Sequence, residues 1–141
     1  MKILIAGGAG FIGINLANYF VQKYPGYQVL ALDDFSVGKE KSLAQLKLRN
    51  NFQLITADVT KSSLVEKIFR RFKPDIIINA VRQPDEDKSV VTTVNGNYNL
   101  LRAAKAHLPD LNRFLFLSSD EIYGEATNVN GNLRAGLETD P

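Results

Sequence analysis

Near the N-terminus, Gly7-Gly8-Ala9-Gly10-Phe11-Ile12-Gly13 satisfies Gly-x-Gly-x-x-Gly at 8, 10 and 13 and Gly-x-x-Gly-x-x-Gly at 7, 10 and 13. Glycines at these intervals allow a tight turn, close approach of backbone to a diphosphate, and tight packing of a following helix on a strand. At the start of that helix the amides of Phe11, Ile12 and Gly13 have no acceptor within the helix, and the helix dipole favours an anion there. Asp33 follows Gly13 by 20 residues. A carboxylate at that separation accepts hydrogen bonds from adenosine ribose hydroxyls and repels a 2′-phosphate, so the pattern favours NAD over NADP. The competing reading is a structural turn followed by a capping aspartate.

Other polar residues could join this chemistry. Asp34 stands next to Asp33, and Asp58, with Val59 beside it, ends a third apolar run. Asp58 suits either a hydrogen bond to an adenine amino group or the cap of the next helix. Ser118-Ser119-Asp120-Glu121 ends a fifth run. Two adjacent carboxyls can hold different protonation states when one is desolvated, as a division of acid and base roles requires. An acid pair facing solvent or capping a turn is the alternative.

Composition narrows the classes. A formal net charge of +2 gives no global attraction to nucleic acid or membrane. The densest basic cluster, Lys67, Arg70, Arg71 and Lys73, reads as a solvated helix face. With no cysteine there is no disulfide, thiol nucleophile or zinc–cysteine site, which fits a reducing compartment. No metal-ligand pattern is present, and His107, the lone histidine, reads as a surface residue near a helix end. The apolar start, Met1 to Ile14, is broken by four glycines and suits a strand and turn better than a signal peptide. No run approaches the roughly 20 apolar residues that span a bilayer, so a soluble, cytoplasmic protein is expected.

The elements that must position these residues alternate in type. Ile3 to Ala6, Gln28 to Leu32, Phe52 to Ala57, Asp75 to Ala80 and Arg113 to Leu117 read as strands. Between them, Phe11 to Lys23, a segment that follows Thr60 or Ser62 and runs to about Phe72, and about Val90 to His107 read as helices, with a shorter one within 39–49. Expected inward residues are Ile12, Leu16 and Phe20 on the first helix, and Leu64, Val65, Ile68 and Phe69 on the next. Leu100, Leu101, Ala103 and Ala104 are expected inward on the last. Thr60 or Ser62 is a candidate helix cap. Such alternation predicts a doubly wound parallel α/β sheet of the Rossmann type, order 3-2-1-4-5, with ligands at the carboxyl ends of the strands. Residues 1–124 form the expected NAD-binding domain, and 125–141 a loop or tail.

The residues also resemble a known family, the extended short-chain dehydrogenases that modify nucleotide sugars. The glycine turn is similar to their opening signature, with Ala6 in place of a usual threonine. Leu32-Asp33-Asp34-Phe35-Ser36-Val37-Gly38 resembles their second-strand motif, Ala57-Asp58-Val59-Thr60 their adenine-side motif, and Pro74-Asp75-Ile76-Ile77-Ile78 their fourth-strand entry. Leu117-Ser118-Ser119-Asp120-Glu121-Ile122-Tyr123-Gly124 resembles the dTDP-glucose 4,6-dehydratase branch, because epimerases of the family carry small residues at the two acids. The resemblance spans nearly the whole chain, yet less than half of such an enzyme. The family's Tyr-x-x-x-Lys pair and C-terminal sugar-binding lobe have no counterpart in these residues. Tyr19 to Lys23 matches the spacing but lies on the first helix, and Tyr123 does not match the family's tyrosine.

The resemblance implies NAD as cofactor and a dTDP- or UDP-linked hexose as substrate, oxidised at C4, dehydrated across C5 and C6, and then given its hydride back. It implies Glu121 as the base at C5, Asp120 as the acid for the leaving hydroxyl, and Ser119 as a donor near C4. Ala80, Val81 and Arg82, after the fourth strand, and Ser118 are implied to line the dinucleotide. Arg82 crowds a place that is usually small, Thr93 replaces a usual asparagine, and about two helical turns are shorter before Gly96. A non-catalytic NAD-binding module, or an epimerase or decarboxylase relative, therefore stays open. Neither nucleic acid nor membrane is implied as a partner, while apolar surface beside the absent lobe points to self-association.

Overall fold

The computed structural model describes residues 1–83 and 86–119, together with the backbone of a strand pair at 128–129 and 132–133. Five strands, β1 (Lys2–Ala6), β2 (Gln28–Asp33), β3 (Phe52–Thr56), β4 (Ile76–Asn79) and β5 (Arg113–Phe116), form one parallel sheet in the order β3-β2-β1-β4-β5. The fold is the expected doubly wound α/β sheet. Three helices cross between strands: α1 (Phe11–Lys23), α2 (Ser62–Phe72) and α3 (Glu86–His107). The central strands are apolar on both faces because helices cover both, and Ile3, Leu4, Ile5, Leu30 and Leu32 are fully buried.

Two cores result. Leu4, Leu30, Leu32 and Ile77 pack with Val65, Phe69, Leu100 and Ala103 of α2 and α3 on one face. Ile3, Ile5, Val29 and Ala31 pack with Ala17, Val21, Leu43 and Leu46 on the other. Val65, Ile68 and Phe69 face inward as expected, with Leu64 partly buried.

Several expectations need correction. The first helix buries Gly13, Ala17 and Val21, with Leu16 and Phe20 partly buried, whereas Ile12 is 51% exposed at the strand ends. The small residues let the helix axis lie close to the sheet. On α3, Leu100, Ala103 and Ala104 are buried, but Leu101 is 49% exposed, because it is one residue past Leu100 and so turned to solvent. That helix starts at Glu86, four residues before Val90. The segment within 39–49 makes two short 3₁₀ turns, Glu40–Leu43 and Leu46–Leu48. Lys61 occupies the cap position of α2 with no side-chain cap bond, so neither Thr60 nor Ser62 caps it. Within the expected tail, β6 (Asn128–Val129) pairs antiparallel with β7 (Asn132–Leu133).

Candidate functional site: the cleft at the strand ends

The turn between β1 and α1 is held by its own backbone. Gly7 and Gly8 both donate N–H to the carbonyl of Leu32 (2.8 and 3.2 Å), which ties the turn to the end of β2. Gly7 sits at φ +75, and a Cβ there would lie 2.7 Å from the carbonyl carbon of Ala80 on the β4 side. A Cβ on Gly13 would lie 2.1 Å from the Gly7 oxygen, so this glycine sets how closely α1 approaches the turn. Gly10 occupies the cap position of α1 without a side-chain bond, and no acidic residue sits in the first turn. The helix start therefore keeps its positive end free of a built-in anion.

Asp33 is 8% exposed and grips both walls. One carboxylate oxygen accepts the Ala9 amide (2.8 Å), the other the Phe35 amide (2.8 Å). Each oxygen keeps a second lone pair. Beyond it, Asp34 accepts the amide and hydroxyl of Ser36 (2.9 and 2.6 Å) on one oxygen.

A cleft of about 270 Å³ opens over these groups. Gly7 and Gly10 line it from the turn, Phe11 and Ile12 from the start of α1, Asp33 from the end of β2, and Asp34, Ser36, Val37 and Gly38 from the loop that follows. Ala57 and Val59 lie on the β3 side, Ala80, Val81, Arg82 and Gln83 on the β4 side, with Thr92 from α3. Asp33 and Asp34 thus meet the glycine turn at the strand carboxyl ends, where the order reverses between β1 and β4.

Three expected contributors do not line the cleft. Gly13 lies beneath it, packed against Gly7. The Asp58 carboxylate folds back onto its own turn, accepting the Thr60 amide (2.8 Å) and hydroxyl (2.7 Å), while its neighbours Ala57 and Val59 face the cleft. Ser118 is exposed beyond β5, which among the described residues is an edge strand paired with β4. Ser119 ends the described stretch and is half-buried, whereas Asp120, Glu121 and Tyr123 lie outside the described residues. Ser36, Val37 and Gly38, quoted from sequence only as part of the motif after Asp33, line the cleft, and so do Gln83 and Thr92, which no sequence signal marked.

Behind the cleft, buried asparagines fix its floor. Asn79, 2% exposed, donates to the Asn97 side chain (2.7 Å) and accepts the Val81 amide (3.2 Å). Asn99 donates to the carbonyls of Val59 (3.0 Å) and Thr60 (2.8 Å), so α3 is stitched to the β3 exit.

Tyr19 and Lys23 do meet, with Lys23 Nζ donating to Tyr19 Oη at 2.7 Å. They lie on the last turns of α1 and are not part of the cleft wall. The Lys23 ammonium, then Tyr24, holds the Tyr19 phenol below its ordinary range. Lys67, Arg70, Arg71 and Lys73 are exposed, as expected of a solvated helix face. His107 is half-buried beside Arg70, whose Nε donates to it at 3.3 Å. Among the described residues no helix is long and apolar enough to cross a membrane.

The model of the NAD dependent epimerase/dehydratase family matches residues 3–139. The chain is 30% identical over 129 residues to dTDP-D-glucose 4,6-dehydratase of Homo sapiens, covering 87% of this chain and 37% of that protein. Against the Dictyostelium discoideum enzyme of the same name it is 32% identical over 131 residues, covering 87% and 30%. Among solved structures, the Bordetella bronchiseptica enzyme WbmG in complex with NAD superposes with a TM-score of 0.78 at 30% identity, covering 92% of this chain and 41% of that one. The Thermus thermophilus UDP-glucose 4-epimerase complex with NAD gives 0.80 at 28%, covering 100% and 44%. The chain thus spans well under half the length of these relatives. The match runs through the glycine turn and every strand of the sheet, and the chain belongs to the NAD dependent epimerase/dehydratase family.

Proposed function

We propose that this chain is the NAD-binding region of a nucleotide-sugar 4,6-dehydratase-like enzyme. The observation that carries the reading is the glycine turn: a Cβ at Gly7 would enter backbone, the amides at the start of α1 have no side-chain cap, and Asp33 stands at the end of β2 in the same cleft. These groups fit a dinucleotide. Phe11 and Ile12 would offer amides to its diphosphate, Asp33 would accept a ribose hydroxyl, and Ala57 with Val59 would form the apolar bed for adenine. Relatives with NAD in their solved structures share this fold at 28–30% identity. When bound, the cofactor supplies a hydride acceptor.

The role of Asp58 in this reading is to set the turn that presents Val59, since its carboxylate is bonded to Thr60. For the sugar chemistry we propose Ser119 as donor near C4, Asp120 as acid and Glu121 as base. The relatives named dTDP-D-glucose 4,6-dehydratase support that assignment, as does the acid pair after β5. Residues 1–124 would then be the cofactor domain, with 125–141 leading toward a substrate lobe. Self-association belongs to the same reading, because Val94, Tyr98 and Leu101 turn outward on α3. Sedimentation velocity tests it, and a monomer at every concentration removes it.

Isothermal titration with NAD and NADP tests the cofactor. NAD should bind, NADP should bind at least tenfold more weakly, and Asp33→Ala should abolish the preference. Equal binding of both would overturn the role of Asp33. A second reading, a non-catalytic NAD-binding module, is favoured by Arg82 at the cleft wall. Formation of a 4-keto product from dTDP-glucose or UDP-glucose by this chain excludes that second reading.

A further inference from the structure

The two walls of the cleft are joined by a side-chain hydrogen bond at its rim. Gln83, on the β4 side, donates Nε2 to Ser36 Oγ on the β2 side at 2.7 Å. Both residues line the cleft, and Ser36 is exposed. The direction of the bond is fixed by chemistry. Ser36 commits its single proton to Asp34 (2.6 Å), so its oxygen can only accept, and Gln83 must present its amide hydrogen. Asp34, Ser36 and Gln83 therefore form one polar chain from the β2 exit across to the β4 exit.

The Ser36 end is rigidly mounted. Phe35 sits in the left-handed region at φ 60 with its amide on Asp33, and its ring packs against the buried core on the α1 side. Gly38 lies so close to the glycine turn that a Cβ would come within 2.7 Å of Ala9 backbone. The Gln83 end is a flexible side chain four residues beyond β4, anchored through Val81 to Asn79. A rigid post and a hinged arm make a strap.

Resting on the dinucleotide reading above, we propose that the Gln83–Ser36 bond is a strap across the cofactor cleft that governs how fast the nucleotide enters and leaves. Ligand passes the rim only while the bond is broken. Gln83 and Ser36 are positioning residues here, acting on exchange through each other.

Stopped-flow measurement of etheno-NAD binding and release tests this on the full chain. Gln83→Ala, Gln83→Asn (amide kept, reach shortened) and Ser36→Ala should each raise both the association and dissociation rates about fivefold, the scale of one neutral hydrogen bond. Kd should move less than either rate. The Gln83→Ala/Ser36→Ala double variant should exchange no faster than the quicker single, because the same Gln83–Ser36 bond is lost in all of them. Multiplying effects would show two independent ligand contacts and overturn the strap, as would unchanged dissociation. If the unaltered chain binds no NAD at all, the functional reading fails together with the strap. If it binds and the variants exchange at its rate, the strap alone fails. An unchanged urea midpoint verifies that the variants are folded.

Discussion

The chemistry of the cleft rests on atoms that are missing as much as on those present. Adding a methyl at Gly13 places carbon 2.1 Å from the Gly7 oxygen, and at Gly7 it adds left-handed strain to a backbone clash. Gly13→Ala should cost about 2 kcal/mol or more of stability and remove NAD binding, read by urea denaturation and titration. Gly26→Ala is the control, since nothing lies within 4 Å of its Cβ and its change should stay within about 0.5 kcal/mol. Away from the cleft, Lys23→Met should return one tyrosine toward the ordinary phenol range. An ultraviolet titration that shows no upward movement refutes the Tyr19–Lys23 bond. The turn could be read from the sequence because its function is written as spacing. Asp58 was legible only as a fork between an adenine hydrogen bond and a cap for the next helix, and its carboxylate instead accepts the Thr60 amide and hydroxyl two residues on. Ser36 was legible only as part of the run after Asp33, and its meeting with Gln83 left no trace, because it depends on two loops 47 residues apart.

Strands and helices were legible to different degrees, for a physical reason. Strands buried on both faces must be apolar throughout, so their runs announce themselves and the order follows from alternation. Helix faces misled where the close contact was made by small or polar residues. The outward side of α3 carries Val90, Val91, Val94, Tyr98 and Leu101, while its inward side uses Gly96, Asn99, Leu100 and Ala103. Apolar periodicity alone therefore points partly to the wrong face. Gly96 is required inward because a Cβ would sit 2.7 Å from a Val59 methyl. Asn99 is the anchor of that interface. Replacing it with leucine leaves the Val59 and Thr60 carbonyls without their donor and should cost about 1–3 kcal/mol. Because Val59 lines the cleft, NAD affinity should fall as well. Arg102→Ala removes an exposed ion pair between α3 and Glu66 of α2 and should cost under about 1 kcal/mol. A larger loss from Arg102 than from Asn99 would reverse this account of how α3 is held.

At the scale of the molecule, cofactor and fold are linked. The cleft is assembled at the exits of four strands, β1, β2, β3 and β4, so it exists only while the sheet order is intact. A ligand that binds there and not to the unfolded chain must stabilise the whole domain, by about 2.7 kcal/mol at a hundred times its Kd. For a chain of this size that corresponds to a rise in Tm of roughly 5–10 °C. Differential scanning calorimetry with NAD should show this rise and its logarithmic growth with concentration. Asp33→Ala should lower the starting Tm, because the Ala9 and Phe35 amides lose their acceptor, and should also flatten the dependence on NAD. The two effects separate cleanly. A lower Tm with the NAD slope retained would make Asp33 a brace of the glycine turn alone, and a flat slope in the unaltered chain would remove the cofactor from this cleft altogether.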